Sequence, residues 1–268
     1  MKKFTNALSN DVEIKGKKVI KKYKKDEFKE IYGNAEIILL EKMGYKYKGD
    51  QDKVEIEYFQ HKPFIDEKIT DQDILNVVKA IKKINSLSKT KLRISPFKEV
   101  YLGLLTKLDG KVIGEEEMKI ATRALKILES GKQVVLHNDL VSGNLLKVND
   151  NEIKLIDFEY SGLGNQLFDI ASFITERDLN EEQEKLFISK FTSVNKKNLM
   201  IVSAFLQIFW ARWALFKYTK TKKVIYKEIA KWKQLKYYEL VEIIDFKKIN
   251  NNNDEEENKK ENSKKIPV

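Results

Sequence analysis

The feature that most constrains this chain is a hairpin pattern with polar residues at both of its ends. Two β-favouring apolar runs, 145–148 and 153–156, are joined by the turn at 149–151, which predicts two antiparallel strands. The sequence HNDLVSGN precedes the first run at 137–144, and DFE follows the second at 157–159. Because a two-stranded hairpin returns the chain to its starting edge, we expect Asp157 to lie close to Asn144.

These residue types at this spacing indicate phosphoryl transfer. The pattern H-x-D-L-x-x-x-N, with D-F after the hairpin, is the spacing of a kinase catalytic loop and of its metal-binding aspartate. In that chemistry an Asp orients the attacking hydroxyl, while an amide oxygen and a carboxylate hold Mg²⁺ against the nucleotide phosphates. Taken singly, each residue is more simply a turn or strand-end residue. The four matched positions together predict a kinase.

Several protein-kinase motifs are missing from the chain. There is no G-x-G-x-x-G loop near the start, no Gly after Asp157-Phe158, and no A-P-E sequence. A protein substrate is therefore not expected, and a small-molecule hydroxyl is the favoured acceptor.

The first sixty residues have mainly the two-residue alternation of strands. Strands are expected at 11–14, 17–23 and 54–60, with a turn at Lys15-Gly16. A helix is expected from about Asn34 and ends at Gly44. This pattern predicts a small α+β lobe over residues 1–60.

The rest of the chain has mostly helical periodicity. One helix begins near Asp71, with Asp71 or Thr70 as its cap, a second covers 115–130, and 181 to about 246 is helical. The run after residue 248 is polar and of low complexity, which is typical of a disordered tail. We therefore predict an α+β fold with a second lobe over 61–247 and a tail over 248–268.

Composition excludes several classes of function. With no cysteine and only two histidines, the chain has no disulfides, thiolate metal sites or multi-histidine metal sites. The net charge of +10 would fit a polyanionic partner, but 47 of the 51 basic residues are lysine. Readers of nucleic acids favour arginine. We therefore predict no nucleic-acid partner.

Membrane insertion and secretion are not expected either. The most apolar stretch, 199–216, contains Gln207 and Arg212, which favours a buried core helix over a membrane span. The first ten residues lack the apolar run of a signal peptide. We predict a cytoplasmic protein.

Residues 136–176 resemble the choline/ethanolamine kinase family, which belongs to the aminoglycoside-phosphotransferase-like kinases. The likeness rests on the catalytic motif, on DFEYS at 157–161 and on FDIA at 168–171. It is strong in the C-terminal half and loose in the first lobe, where Thr5-Asn6 resembles the start of the nucleotide loop. The resemblance implies a two-lobed protein-kinase-like fold with a small β-rich lobe and a large, mainly helical lobe. It also implies ATP and Mg²⁺ as cofactors.

The resemblance assigns roles around the catalytic motif. It implies that Asp139 is the base that orients the substrate hydroxyl, and that Asn144 and Asp157 are Mg²⁺ ligands. Glu159 is a possible second-metal or water-mediated ligand. His137 belongs to the same catalytic set and is expected to brace the loop through hydrogen bonds.

In the first lobe the resemblance implies a phosphate-binding cation and its acidic partner. Lys21, on the strand that also carries Val19, is the expected cation, and Glu36 on the following helix is its expected partner. Asn6 is expected to contact the nucleotide. Choline kinases usually have arginine at the cation position, and Lys22 is the competing candidate.

The resemblance also implies a pocket for a cationic substrate. Choline cannot donate hydrogen bonds through its quaternary ammonium, so proteins recognise it with aromatic faces and a carboxylate. The matching positions are Trp210, Trp213, Tyr160 and Glu176, and Tyr226 is added after a gap in the spacing. By periodicity alone, the two tryptophans would be core residues of an apolar helix.

Phosphorylation of choline by ATP, to give phosphocholine for phospholipid biosynthesis, is therefore the leading hypothesis. Ethanolamine, thiamine or an aminoglycoside is the alternative acceptor, and a non-catalytic basic binding module is the remote alternative. The Trp pair speaks against an aminoglycoside, whereas thiamine would also stack on indole. Oligomeric state, the choice between ATP and GTP, and the role of the tail stay open.

Overall fold

A computed structural model describes residues 2–3, 10–24, 27–50, 52–62, 64, 69–108, 114–177, 179–192 and 194–244. In its N-terminal part, five strands form one antiparallel sheet in the order β1-β2-β3-β5-β4. The strands are β1 (Lys2–Lys3), β2 (Asp11–Lys15), β3 (Lys18–Lys22), β4 (Tyr47–Gly49) and β5 (Lys53–Glu57), and the helices are α1 (Glu27–Tyr32) and α2 (Glu36–Met43).

The local pattern predicted most of this sheet. The expected strands correspond to β2, β3 and β5, and α2 ends at Gly44, whose φ of 75° suits glycine. In β3 the side chains of Ile20 and Lys21 are buried, whereas that of Lys22 is exposed. The helix α1 was not predicted, because its six residues are too few to show a helical period.

The C-terminal part is mainly helical, with two short two-stranded sheets between its helices. Its helices are α3 (Asp71–Asn85), α4 (Phe97–Lys107), α5 (Glu115–Glu129), α6 (Leu167–Arg177), α7 (Glu181–Ser189), α8 (Lys196–Thr221) and α9 (Val224–Ile243). Its strands are β6 (Gln133–Leu136), β7 (Leu145–Asn149), β8 (Glu152–Leu155) and β9 (Gly162–Asn165), with a 3-10 turn at Ser142–Asn144. The strand β6 pairs with β9, and β7 pairs with β8 as predicted.

Two helix starts illustrate how local sequence sets these boundaries. Thr70, rather than Asp71, is the N-cap of α3, and its side chain forms a capping box with Asp73. Asn180 forms the same arrangement with Gln183 at the start of α7. The helices α4 and α6 were not predicted, since each is short and its pattern is ambiguous on its own.

The apolar helix α8 lies in the core of the helical part. By length and composition it could cross a membrane, but 78% of its most apolar window is buried inside the protein. Its Arg212 donates to both carboxylate oxygens of Glu117 on α5, and the Tyr101 hydroxyl on α4 donates to one of them at 2.9 Å. This buried network explains how an apolar core helix accommodates an arginine.

The sequence predicted a boundary at residue 60 and a polar tail after residue 247. The structure bears on the order of the two parts but not on the tail. The β-rich and helical parts follow the predicted order, although the exact boundary stays a prediction. The predicted tail at 248–268 lies outside the described residues, as does Asn6.

Candidate active site

The loop at 137–141 is anchored by the carboxylate of Asp169 on α6. One oxygen of Asp169 accepts from the backbone N–H of His137 at 2.8 Å, and the other accepts from that of Asn138 at 2.9 Å. Burial raises the pKa of Asp169 to about 7, and these two hydrogen bonds oppose that rise. Asn138 has a φ of 68° and donates to Ser95 and to the carbonyl of Tyr160. The loop is therefore fixed before any substrate binds.

The contacts of His137 identify it as a bracing residue. Its side chain is fully buried, and its Nε2–H donates to the carbonyl of Ile156 at 2.9 Å. Its Nδ1 accepts from the backbone N–H of Asp139 at 3.3 Å, so the neutral ring carries its proton on Nε2. Burial lowers the pKa of His137 to about 4, which keeps the ring neutral at pH 7.

Asp139 and Asn144 meet across this loop. The Asn144 amide donates at 2.9 Å to the Asp139 carboxylate and also at 2.9 Å to the Asp139 carbonyl. Burial raises the pKa of Asp139 to about 7, with further increases from Asp157 and Glu176, while the Asn144 hydrogen bond opposes the shift. A carboxyl group with this pKa can exchange a proton near neutral pH.

The hairpin brings Asp157 back to Asn144, as the sequence predicted. Leu145 pairs with Leu155, and the N–H of Ile156 donates to the Asn144 carbonyl at 3.1 Å. Asp157 follows directly with a φ of 68°, a left-handed conformation that is uncommon outside glycine. The two proposed metal ligands are therefore held at adjacent points of one rigid hairpin.

Lys21 reaches this hairpin from β3. Its Nζ lies 2.9 Å from Glu36, 2.6 Å from Asp157 and 3.8 Å from Glu159. Burial alone would lower the pKa of Lys21, but the three carboxylates outweigh it and raise that pKa well above its ordinary value. The exposed Lys22 takes no part in this cluster. The sequence-predicted pair of Lys21 and Glu36 is thus present in the structure.

Glu159 has partners that the sequence did not reveal. Both of its carboxylate oxygens accept from the amide of Asn10, at 3.0 and 3.1 Å, and the side chain is 1% exposed. A metal or a bridging water at Glu159 would share these oxygens with Asn10, and the role of Glu159 as a second-metal or water-mediated ligand stays a prediction. The contacts make Glu159 part of the charge cluster around Lys21 and a contact between the two parts of the protein.

The remaining donors fit a magnesium ion bound to a nucleotide. Within the part of the chain that the structure describes, no group of three or more His, Cys, Asp or Glu side chains is spaced to hold a metal. Asn144 and Asp157 instead offer amide and carboxylate oxygens, the hard donors that Mg²⁺ takes together with substrate phosphates. A site shared with a nucleotide needs only one or two protein carboxylates.

Three of the predicted pocket aromatics are in contact. The rings of Trp210 and Trp213 on α8 meet edge to face with centroids 5.9 Å apart, and Tyr226 on α9 meets Trp213 in the same way at 5.7 Å. Both tryptophans are partly exposed, whereas Tyr226 is buried. The two tryptophans therefore present some ring surface outside the core.

Tyr160 lies next to an aromatic residue that the sequence analysis missed. Its ring meets Tyr32 of α1 edge to face with centroids 5.4 Å apart. The pKa of Tyr32 is raised by burial and, in second place, by the charge of Asp139. Tyr32 therefore belongs to the surroundings of Asp139, and it was missed because α1 itself was not predicted.

Glu176, the predicted carboxylate of the pocket, already has a cation bound. The ammonium of Lys233 on α9 forms a hydrogen-bonded ion pair with the Glu176 carboxylate. Glu176 also raises the pKa of Asp139, so its charge lies near the catalytic loop. Lys233 was not predicted, since one lysine among 47 gives no local signal.

Solved structures show which class of fold this arrangement has. A choline/ethanolamine kinase family protein from Mesorhizobium loti superposes with a TM-score of 0.68 and 14% identity, over 88% of this chain and 86% of that one. The choline kinase LicA from Streptococcus pneumoniae superposes with a TM-score of 0.66 and 16% identity, over 88% of this chain and 90% of that one. The fold is the two-lobed, protein-kinase-like fold predicted from the sequence.

The sequence itself then identifies the family. The model of the choline/ethanolamine kinase family matches residues 65–239, and the chain belongs to that family. Among curated proteins, a "Protein LicA homolog" from Metamycoplasma hominis is 32% identical over 136 residues. That alignment spans 47% of this chain and about half of the relative, 52% of its length.

Proposed function

We propose that this chain transfers the γ-phosphoryl group of ATP to the hydroxyl of a small cationic alcohol, with choline as the preferred acceptor. The observation that carries the proposal is the meeting of Asp139, Asn144, Asp157 and Lys21 at one hairpin end. Family membership and the family's fold support the same activity. We propose that the protein acts in the cytoplasm. Its product, phosphocholine, would serve phospholipid synthesis.

Each residue of the cluster has a role in this reaction. Asp139 orients the acceptor hydroxyl and takes its proton as the oxygen bonds to the γ-phosphorus and the bond to ADP breaks. Lys21, held by Glu36, supplies positive charge to the phosphates. Asn144 and Asp157 would hold Mg²⁺, which neutralises phosphate charge when it is bound. His137 keeps the loop in place, and the elevated pKa of Asp139 suits proton transfer near neutral pH.

The choice of a cationic acceptor rests on the tryptophan pair and on Glu176. The rings of Trp210 and Trp213 offer π-faces to a quaternary ammonium, and Glu176 offers a carboxylate. Ethanolamine is the second candidate, because the primary ammonium of Lys233 already shows that Glu176 can hold such a group by a hydrogen bond. We assign Tyr160 and Tyr226 to the walls of this pocket.

An acceptor panel with one variant tests the proposal. Wild type, Asp139→Asn and the control Asp150→Asn are assayed for ADP release with Mg-ATP and choline, ethanolamine, thiamine or kanamycin. Asp150 lies on the exposed turn of the same hairpin, with a side chain 87% exposed, so its variant controls for loss of one carboxylate. We expect choline turnover in wild type and control, and about a 10²–10⁴-fold lower kcat in Asp139→Asn. Equal turnover by wild type and Asp139→Asn would refute the assignment.

A further inference from the structure

The ammonium of Lys233 lies where the cationic headgroup of the substrate is expected. Its partner is Glu176, the carboxylate predicted to attract that headgroup, and the Lys233 side chain is 5% exposed. Asp139, the proposed base, is close enough to act electrostatically on Lys233 together with Glu176. The free protein therefore contains a primary ammonium of its own inside the acceptor site.

This arrangement follows from the cost of burying charge. The Glu176 side chain is 13% exposed, and a carboxylate so enclosed is costly without a cation beside it. Lys233 supplies that cation. Removing it without a replacement would leave Glu176 unpaired, whereas exchanging it for another cation would preserve the charge balance of the pocket. Only a positively charged ligand can make that exchange.

Lys233 also contacts an exposed aromatic ring while it is paired with Glu176. Its Nζ lies 4.6 Å from the ring centroid of the neighbouring Trp232, and Trp232 is 41% exposed. The four-carbon stem of lysine lets the ammonium move by several ångströms while the helix backbone stays in place. The ammonium can therefore keep its contact with the indole face when it leaves the Glu176 carboxylate.

We propose that Lys233 is a specificity-determining residue: its ammonium occupies Glu176 in the free protein, and a cationic alcohol binds by displacing it. The inference rests on the proposed function of the site. Lys233 then acts as a tethered competitor, so the apparent affinity for the acceptor is reduced by the fraction of molecules in which Glu176 is free. A neutral alcohol gains nothing from Glu176 and cannot replace the ammonium there, so it binds beside the intact ion pair and is not subject to this competition.

Substitution of Lys233 by Met tests the exchange with charged and neutral acceptors. Methionine keeps an unbranched side chain and removes the charge. The acceptors are choline and 3,3-dimethyl-1-butanol, in which carbon replaces the quaternary nitrogen. We expect Lys233→Met to lower the KM for choline by about tenfold, the scale of one charge-assisted hydrogen bond, and to leave the KM for the neutral alcohol unchanged. The KM for ATP should not change.

Two further variants keep the result interpretable. Lys231→Met removes one exposed lysine from the same helix and should behave as wild type, which controls for net charge. Lys233→Arg keeps the cation and adds a second hydrogen bond, so it should raise the KM for choline. Thermal unfolding of each variant checks that it is folded. If Lys233→Met does not fold, the inference is tested by whether Lys233→Arg raises or lowers the KM for choline.

The outcomes separate this inference from the proposed function. If wild type phosphorylates none of the cationic alcohols, the proposed function fails. If wild type phosphorylates choline but Lys233→Met has an unchanged or higher KM for it, or shifts the KM of both acceptors equally, Lys233 is a structural contact only. A lower KM for choline in Lys233→Arg would also contradict the displacement of Lys233 by the substrate.

Discussion

Lys21 supplies the positive charge that we propose binds the nucleotide phosphates. The unfolding free energy lost on its removal can be estimated from its contacts. In Lys21→Met, Glu36 loses the partner at 2.9 Å that compensates a fully buried carboxylate, and Asp157 loses one at 2.6 Å. The Asp157 side chain is 27% exposed and can be hydrated again, whereas that of Glu36 is 0% exposed. Breaking a buried ion pair on one side costs about 3–5 kcal/mol of unfolding free energy. We expect a loss of this size, mostly from Glu36.

The loss should depend on pH. Burial raises the pKa of Glu36 to about 7 although Lys21 lowers it, so without Lys21 this pKa rises further. A carboxyl group whose pKa is higher in the folded than in the unfolded protein stabilises the fold at low pH, and this stabilisation disappears as the pH rises through the folded pKa. In Lys21→Met, Glu36 is neutral at pH 6 and the penalty is small. Toward pH 9 it ionises without a partner, and the penalty grows.

Urea unfolding at pH 6 and pH 9, followed by circular dichroism, measures this difference. Lys22→Met is the matched control, because Lys22 is the next residue of the same strand and is exposed. It should change the unfolding free energy by no more than about 0.5 kcal/mol at either pH. A Lys21→Met variant as stable as Lys22→Met at pH 9, or one that loses more stability at pH 6 than at pH 9, would refute the reasoning.

Two further predictions concern the helical part. Arg212→Met leaves the buried Glu117 without its cation, so we expect a loss of about 3–5 kcal/mol in urea unfolding, and Arg212→Met/Glu117→Gln should recover part of it. An unchanged stability of the single variant would contradict the buried network. Thr70→Ala removes the cap of α3 and should cost about 1 kcal/mol in the same assay. Asp71→Ala, next to it on the first turn, is the comparison, and an equal loss in both would argue against Thr70 as the cap.

Features that depend on neighbouring residues could be predicted from the sequence. The hairpin around residues 145–155 follows from two apolar runs and a turn, and its ends place Asp157 near Asn144. The alternation of β3 predicted which way Lys21 faces, and the structure separates it from its competitor Lys22. In each case the information lies within a few residues of the element concerned.

Contacts between distant parts of the chain could not be predicted in this way. Asn10 pairs with Glu159 across 149 residues, and Lys233 pairs with Glu176 across 57. Neither pair has a local pattern, because such a contact is set by how the elements pack. Glu176 could be singled out from the sequence as a candidate, and its role stays a prediction, but its ion pair with Lys233 could not be foreseen.

The anchoring of the catalytic loop by Asp169 has a consequence for the order in which this protein acquires its structure. The two amides that Asp169 holds precede it by 32 and 31 residues, and the whole of β7, β8 and β9 lies between them. Contacts over such separations require closure of a long loop before they yield any stabilisation. The loop that carries Asp139 therefore has this anchor only when α6 has docked against it. We expect the form of the catalytic loop to depend on the docking of α6, even though the residues of the loop itself lie close together in the sequence.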